Sequence, residues 1–490
     1  MDRKRTFGLV LPMALALSAC GGGGGSGQSS PQPQPPAQPA ASIVPVEGPA
    51  RDLPADYASY NFNLLRVSGQ VESAALVQGL RALNPGGLRI PGGTPGETWS
   101  WSRGGLRPPP YPGLPAGSGF SAEIEAISGL TPSVVDRLLD QVGTPALLSA
   151  NMLTADPDEN IADIRAFRAV GQPITRLELG NEEYFRTPNP RARFPTADQY
   201  AATAAAWSSQ MKRDVGGLSI AAISPPPLRT VGVPFDDWMD ALDRSGAWAT
   251  IDAVAVHPYF DLAGQTPLAS PQSAEAFVAS MIRHDDTFLA RVRQRLPAGK
   301  AIWITEWNVF ETQSAPVTGG SWIGGLGAAA RALNFLDHSA VDLSVFHVAI
   351  GERQWSALVT PDGLAADFTE GRPLVTSAPP FAQTAYGAAL SLLGEAVRGG
   401  GTAQRLGLGQ DEASKPLFGY RFRSLNGEVR SLFLNATPGS VAVRANGRAR
   451  QLSAPYGAGV SSGAGVIRRD FVISGESLDL PAFSITLVTP

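Results

Sequence analysis

Two short segments of the chain carry the residue types that acid–base chemistry needs. Residues 178–183 read ELGNEE, and residues 302–308 read IWITEWN. Each is an apolar run of strand length that ends at a carboxylate, Glu182 or Glu306, beside polar or aromatic residues. Breaking a glycosidic bond needs such a pair, because one carboxylic acid protonates the leaving oxygen while a second carboxylate acts at the anomeric carbon. The pair therefore predicts an enzyme that cleaves sugars, provided that the fold brings both side chains together.

The elements around these segments predict a fold that does so. From about residue 60 to 385, short apolar strands alternate with helical stretches, which indicates repeated βα units. A closed parallel barrel places the C-terminal ends of all its strands at one mouth, so Glu182 after the fourth strand and Glu306 on the seventh should converge there. The eight candidate strands are 61–66, 87–90, 146–151, 175–179, 219–223, 253–257, 301–305 and 343–349.

The pattern changes after residue 399. Short strands punctuated by Gly, Asn and Pro follow one another without a helical pattern between them, which is typical of an antiparallel β-sandwich. We predict an α/β chain, with a (β/α)8 TIM barrel over residues 46–398 and a C-terminal β-sandwich over residues 399–490. The segment 42–46 is a candidate extra strand of the sandwich.

The beginning of the chain predicts export rather than a folded element. A basic segment at 3–5 precedes an apolar segment at 7–17, which is too short for a typical transmembrane span. The following LSAC at 17–20 resembles the bacterial lipobox, and this resemblance implies cleavage before Cys20 and lipidation of its thiol. An ordinary secretory signal with a coincidental cysteine is the alternative, although a lone cysteine has no disulfide partner within the chain.

The predicted result is a lipid-anchored protein. Residues 1–20 are assigned as the lipoprotein signal peptide, and residues 21–45, rich in Gly, Pro and Gln, as a disordered linker. Gly21, rather than an aspartate, follows the lipidated position, which resembles lipoproteins of the outer membrane. We expect an exported chain anchored there, on the periplasmic or the cell-surface side.

The composition gives no support to nucleic-acid binding or to metal-dependent hydrolysis. The chain has 490 residues, a formal net charge of −4 and few lysines and arginines, so nothing favours nucleic acid as a partner. Its four histidines do not lie at metal-ligand spacing, which leaves a zinc hydrolase without support. We expect no metal, no cofactor and no protein partner.

A cation at the predicted mouth could give the two carboxylates different pKa values. Arg89 ends the second strand in LRIPGG (88–93), and beside Glu306 it would hold that group ionised. Glu182, without such a partner and next to an ionised carboxylate, should have a raised pKa. An acid that keeps its proton and an ionised partner are the two states that the reaction needs.

These motifs resemble the clan A glycoside hydrolases, which have Gly-Asn-Glu at the end of the fourth strand and a nucleophilic glutamate at the end of the seventh. The resemblance implies that Glu182 is the acid/base and that Glu306 is the nucleophile of a retaining mechanism. It also implies that Asn181 binds the 2-hydroxyl of the sugar. Arg89 matches the second-strand arginine that supports the nucleophile, and the HPY segment at 257–259 matches the sixth-strand segment that lines the pocket. Within that segment we single out His257 and Tyr259 as substrate-binding.

Two families within the clan share different parts of the pattern. LRIPGG at 88–93 with the two tryptophans after it, and EWNV at 306–309, resemble the family 51 α-L-arabinofuranosidases. ELGNE at 178–182 and LNP at 83–85 resemble the family 79 heparanase and β-glucuronidase group. The β-xylosidase family 39 shares the layout.

The chain also departs from both families. Family 51 usually has an aspartate where this chain has Thr305, and the heparanase-like enzymes usually have small residues where this chain has Trp307.

Three tryptophans are candidates for stacking on a sugar. Trp99 and Trp101 lie in a long loop rich in Pro and Gly, where they could form a wall of the site or a packed cover over the barrel. Trp307 could stack on a sugar ring or fill the barrel mouth.

The sequence thus predicts a retaining glycoside hydrolase with a carbohydrate substrate, most like an α-L-arabinofuranosidase. A β-glucuronidase-like or β-xylosidase-like hydrolase is the alternative within the class. A non-catalytic, carbohydrate-binding surface lipoprotein is the alternative from another class, because fold alone does not establish catalysis.

Overall fold

The computed structural model describes residues 42–111, 113–115, 120, 122–185, 188–229, 232–261, 268–310, 321–351, 356–360, 378–409, 416–458 and 465–490. The predicted signal peptide, Cys20 and the linker up to residue 41 lie outside these residues, so lipidation and the linker stay predictions.

Among the described helices, none is both long enough and apolar enough to cross a membrane.

Eight parallel strands close into a barrel, which confirms the predicted fold class. Each strand pairs with the one before it in the chain, and the eighth pairs with the first. The strands are β1 (Ala58–Asn61), β2 (Leu88–Ile90), β3 (Ala146–Ala150), β4 (Arg176–Leu179), β5 (Ser219–Ile223), β6 (Ala253–Val256), β7 (Ala301–Trp307) and β8 (Val341–Phe346).

A helix follows each strand and covers the outside of the barrel. In α4 (Ala197–Asp214) the buried side chains recur at helical spacing, with Tyr200, Ala204 and Met211 on the inner face. The hydroxyl of Tyr200 donates to the carbonyl of Leu179 at 2.8 Å, which ties the helix to the end of β4. The helices are α1 (Ala74–Ala82), α2 (Pro132–Val142), α3 (Pro157–Ala169), α4 (Ala197–Asp214), α5 (Phe235–Arg244), α6 (Pro271–Arg295), α7 (Trp322–Asp337) and α8 (Ala385–Val397).

The predicted position of the first strand was wrong. The prediction placed it at 61–66, whereas β1 ends at Asn61 and Leu64–Val67 form a 3-10 turn. Asn63 caps this turn by accepting a hydrogen bond from the backbone N–H of Leu65 at 3.1 Å. A short apolar run is buried in either conformation, so its hydrophobicity does not distinguish a strand from a turn.

The C-terminal part forms antiparallel sheets, as predicted. Its larger sheet has seven strands, and Val46–Leu53 is one edge of it, paired with β9 (Gly401–Gly407). The strands that follow the barrel are β9 (Gly401–Gly407), β10 (Leu417–Arg423), β11 (Val429–Asn435), β12 (Val441–Arg444), β13 (Arg448–Ser453), β14 (Ile467–Val472), β15 (Ser477–Leu480) and β16 (Ser484–Thr489).

This pairing corrects the domain boundary at residue 46. The segment Val46–Leu53 was assigned to the barrel but belongs to the sandwich sheet, and Ile43 before it forms an isolated bridge with Val443 of β12. The reason is that pairing with β9 is a contact between distant parts of the chain, which no local pattern encodes.

The sandwich packs against the last two barrel helices. The indole of Trp322, at the start of α7, donates to the carbonyl of Phe483 at 2.7 Å. Arg450 of β13 forms an ion pair with Glu395 of α8 at 2.5 Å. One hydrophobic core runs through the barrel, its helices and the facing side of the sandwich. The sandwich therefore supports the side of the barrel, while the strand ends at the mouth carry the candidate site.

Candidate active site

The ends of β4 and β7 bring the two predicted catalytic carboxylates into one cluster. His257, directly after β6, lies between them. Its Nδ1 is 3.0 Å from Oε1 of Glu182 and 3.8 Å from Oε2 of Glu306. These two oxygens are therefore at most 6.8 Å apart, the sum of the two distances.

A glycine at the end of β4 makes this placement feasible. Gly180 has φ of +90°, a conformation that side-chain-bearing residues rarely adopt. A Cβ at this position would also lie 2.2 Å from the carboxylate oxygens of Glu183. The turn carries Asn181 and Glu182 away from the strand direction, and the carboxylate of Glu183 accepts a hydrogen bond from the backbone N–H of Asn181 at 2.8 Å.

Glu306 is buried and receives three hydrogen bonds. Its Oε1 accepts from Nδ2 of Asn61 at 2.8 Å and from Nη1 of Arg89 at 2.8 Å. Its Oε2 accepts from the hydroxyl of Tyr259 at 2.7 Å. Donors on both oxygens fix the orientation of the carboxylate and favour its charged form.

The pKa of Glu306 follows from this environment. Burial raises the pKa, but the charges of His257, His347 and Arg89 and the hydrogen bond from Tyr259 lower it more, to about 2. Glu306 is therefore ionised at neutral pH, and an ionised, oriented carboxylate can act as a nucleophile.

Arg89 joins three acceptors in the interior of the barrel mouth. Besides Glu306, it donates from Nε to Oε2 of Glu178 at 2.5 Å and from Nη2 to Oδ1 of Asn181 at 2.9 Å. The guanidinium is 1% exposed, so these partners compensate a charge that would otherwise be costly to bury. Arg89 thus links the β4 segment to the β7 carboxylate.

Glu182 has different neighbours. Its Oε1 accepts from the hydroxyl of Tyr184 at 2.7 Å and contacts Nδ1 of His257 at 3.0 Å. Its side chain is 20% exposed, compared with 6% for Glu306. The more exposed position at the mouth suits a group that exchanges protons with substrate and water.

Two further acids lie beside Glu182. Burial and the charge of Glu182 raise the pKa of Glu97 to about 8. Burial and the charge of Glu97 raise the pKa of Glu183 well above its ordinary value. Buried acids that keep their protons near neutral pH are common at catalytic sites.

The three predicted sugar-stacking tryptophans are buried in packed positions, and their assignment as substrate-binding stays a prediction. Trp307 is 1% exposed, and its ring contacts Phe335 of α7 with centroids 5.2 Å apart. The register of β7 against β8 shifts between Ile304 and Trp307, so that Thr305 and Glu306 both face the cluster while Trp307 packs against the helix. Trp99 and Trp101 are 2% and 4% exposed, and they pack against each other at 5.4 Å.

Several site residues were absent from the predicted set. Asn61 was read as the start of a strand rather than its end, which hid its position at the mouth. Tyr184 lies two residues after Glu182, and this proximity in the sequence could have identified it as a site residue. Glu97 and Thr305 reach the cluster only through the folded loop after β2 and the register of β7, so their contacts had no local signal.

Among the described residues there is no group of three or more His, Cys, Asp or Glu side chains that could hold a metal ion. What the cluster can supply is an ionised carboxylate and a second carboxyl group, both within reach of His257.

Comparisons with known proteins agree with this architecture. No protein-family model matches the sequence, and no curated protein matches it. Solved structures do match over nearly their whole length. A family 51 α-L-arabinofuranosidase from Bifidobacterium longum has a TM-score of 0.68 at 16% identity, covering 92% of this chain and 99% of that chain. The fold is shared.

Two other neighbours extend the comparison. The family 51 arabinofuranosidase from Xanthomonas axonopodis pv. citri has a TM-score of 0.62 at 15% identity, with 91% of this chain and 99% of that chain covered. A 4-O-α-L-rhamnosyl-β-D-glucuronidase from Fusarium oxysporum has a TM-score of 0.57 at 15% identity, with 92% and 100% covered. At these identities the likeness concerns the fold, a barrel with a β-sandwich, and the chemistry has to be argued from the site.

Proposed function

We propose that this chain is a retaining glycoside hydrolase, with Glu306 as nucleophile and Glu182 as acid/base. The observation that carries the proposal is the pairing of an ionised, triply hydrogen-bonded Glu306 with a more exposed Glu182 at most 6.8 Å away. Retaining enzymes hold their two carboxyl groups about 5–5.5 Å apart, and inverting enzymes about 6.5–9.5 Å. The 6.8 Å bound joins one oxygen of each carboxyl group and overlaps the lower edge of the inverting range, so the proposal of retention rests on the resemblance to the clan A motifs as well.

The reaction would proceed in two displacements. Glu306 attacks the anomeric carbon and forms a glycosyl-enzyme, while Glu182 gives its proton to the leaving oxygen as the glycosidic bond breaks. Glu182, now ionised, takes a proton from water, whose oxygen then displaces Glu306. Tyr259 and Arg89 orient Glu306 throughout, and Asn181, held by Arg89, would meet the sugar next to the reacting carbon.

For the substrate we propose an α-L-arabinofuranoside. Two observations favour it: the LRIPGG and EWNV motifs, and the solved arabinofuranosidases among the structural neighbours. The glucuronidase from Fusarium oxysporum favours a β-glucuronide as the second candidate, together with the ELGNE motif.

A panel of nitrophenyl glycosides tests both the class and the substrate. It should contain α-L-arabinofuranoside, β-D-xyloside and β-D-glucuronide, and NMR of the first-formed sugar reads its anomeric configuration. We expect turnover of the arabinofuranoside with retention. Inversion would contradict the mechanism, and turnover of the glucuronide alone would replace the proposed substrate. If no glycoside of the panel reacts and the chain nevertheless binds polysaccharide, the non-catalytic alternative is favoured.

We also propose that the mature protein is anchored by lipid at Cys20 on the outer membrane. The support is the LSAC segment and the Gly/Pro/Gln-rich stretch after it. Stable anchoring takes more than one acyl chain, which lipidation of an N-terminal cysteine supplies. Incorporation of labelled palmitate in the wild type and its absence in C20A would support the proposal, whereas equal membrane retention of both would contradict it.

A further inference from the structure

A hydrogen-bonded chain of buried side chains leads from the floor of the barrel mouth to Glu182. The hydroxyl of Thr305 on β7 donates to Oε1 of Glu178 at 2.7 Å and lies 3.1 Å from Nε2 of His257. On its other side His257 reaches Glu182 through Nδ1, at 3.0 Å. Thr305, Glu178 and His257 are 2%, 2% and 5% exposed. Thr305 occupies the position where the family 51 pattern usually has an aspartate, so this link is a feature of the present chain.

The direction of each hydrogen bond follows from counting protons. Burial raises the pKa of Glu178, but Arg89 and His257 lower it below the ordinary value, so Glu178 is ionised and can only accept. A threonine hydroxyl has one proton, and here it is donated to Glu178. Its oxygen can then only accept from Nε2 of His257, which must carry a proton.

We propose that Thr305, oriented by Glu178, is a positioning residue that locks His257 in its Nε2–H tautomer, so that His257 and Glu182 hold one proton as a unit. The proposal rests on the proposed role of Glu182 as the acid/base. With Nε2 occupied, Nδ1 is the ring nitrogen that exchanges its proton, and it faces Glu182. The pair then has one proton to place, either on the carboxyl or on Nδ1.

The lock matters when the pair loses this proton. An ionised Glu182 would then face the lone pair of Nδ1, an arrangement without a hydrogen bond. If the imidazole were free to change tautomer, a proton on Nδ1 would stabilise the ionised carboxylate, and the pair would release its proton at lower pH. The fixed Nε2–H tautomer therefore keeps the His257–Glu182 pair protonated up to a higher pH.

The charges around His257 act in the same direction. Oε1 of Glu178 lies 3.8 Å from Nε2, and Oε2 of Glu306 lies 3.8 Å from Nδ1. Burial lowers the pKa of His257, but the carboxylates of Glu306, Glu178 and Glu182 raise it to about 10. Arg89, a nearby cation, is paired with Glu178 and Glu306, and Nδ1 of His347 lies 3.6 Å from Oε2 of Glu306. The ring of Tyr259 packs edge-on at 6.5 Å.

The test replaces Thr305 by valine, which has the same shape but no hydroxyl, and follows kcat/KM against pH. We expect the basic limb of T305V to move to lower pH by about one to two units, since a hydrogen bond to a charged group contributes about 1.5–3 kcal/mol. T305S restores the hydroxyl and should return the limb to the wild-type pH. An unmoved limb in T305V would overturn the proposal.

Substrates with different leaving groups separate this role from a displaced nucleophile. At a pH above the new limb, T305V should lose about tenfold or more on a poor leaving group and much less on dinitrophenolate, which needs no acid. Equal losses on both would point to displacement of the neighbouring Glu306 and would overturn the proposal.

The tautomer can also be read without turnover. The chain has four histidines, so 15N NMR of the imidazoles, assigned with H257Q, reports which nitrogen carries the proton. Above the pKa of the ring, we expect Nε2–H in the wild type and Nδ1–H in T305V, or in T305A if the valine variant does not fold. An Nδ1–H wild type would overturn the lock. Absence of glycoside turnover with an Nε2–H wild type would instead overturn the proposed function.

Discussion

The two sides of the barrel mouth treat their carboxylates in opposite ways. On the β7 side, Glu306 is nearly inaccessible and receives hydrogen bonds from Asn61, Arg89 and Tyr259. On the β4 side, Glu182 is partly exposed and lies among other acids, Glu97 and Glu183. The same residue type is thus buried and held by three donors in one place, and partly exposed in the other.

The different surroundings suit the two glutamates to the two roles proposed for them, acid/base and nucleophile. Donors and a cation hold Glu306 ionised, with a pKa of about 2. Glu182 instead contacts the hydroxyl of Tyr184 and the imidazole of His257. His257 lies between the two carboxylates, with Nδ1 3.0 Å from Glu182 and 3.8 Å from Glu306.

Removing the nucleophile should have the largest effect. E306Q keeps the shape of the side chain but cannot form the glycosyl-enzyme, so kcat should fall by on the order of 10⁴-fold or more. Steady-state kinetics on the reactive panel glycoside measures this loss, and thermal unfolding checks that the variant is folded. Turnover within tenfold of the wild type would contradict the assigned role of the β7 side.

Removing the acid should have the next largest effect, and one that depends on the leaving group. E182Q should lose about 10²–10⁴-fold on poor leaving groups and far less on dinitrophenolate, which leaves without protonation. Added azide should accelerate breakdown of the glycosyl-enzyme in E182A, because it needs no general base. Equal loss on all leaving groups, without azide acceleration, would contradict the division of roles.

Replacing Arg89 by lysine should make the surroundings of Glu306 more like those of Glu182. R89K retains the charge but cannot reach Glu178, Glu306 and Asn181 together, so kcat/KM should fall by about 10²-fold. The pKa of Glu306 should rise because a partner of its ionised form is lost, so the acidic limb of the pH profile moves to higher pH.

R450K is the control for this change. Arg450 of β13 pairs with Glu395 of α8 at 2.5 Å, outside the barrel mouth. Its replacement should leave the limb in place. An acidic limb that moves equally in both variants would refute the special role of Arg89.

Removing one donor to Glu306 should have a smaller effect. Y259F deletes the 2.7 Å hydrogen bond to Oε2, which should lower kcat by about tenfold and shift the acidic limb slightly upward. The measurement is kcat against pH, with Y420F in the sandwich as control. A shift of the acidic limb to lower pH would contradict the account of Glu306.

Changing a buried tryptophan should have the smallest effect on catalysis. Trp101 packs edge-on against Phe167 of α3 with centroids 4.6 Å apart, so W101F should lower the free energy of unfolding by about 1–2 kcal/mol. Its kcat/KM should stay within about twofold of the wild type. A several-fold rise in KM with unchanged thermal stability would instead support a role for Trp101 in sugar binding.

Local pattern and elementary chemistry determined the main lines of this protein. The alternation of strands and helices predicted the barrel, because each element buries one face at its own period. The strand-end positions of Glu182, Glu306 and Arg89 then followed, since parallel strands end at a common mouth. The observed cluster contains all three.

Tertiary structure decided the rest. Burial of Trp307 depends on which face of β7 meets the helices, and that follows from the register of the whole barrel rather than from a hydrophobic run. The contacts of Asn61, Glu97 and Thr305 join segments far apart in the chain. Such contacts are set by strand register and loop conformation, so their effects on the protons of the site become visible only once the chain is folded.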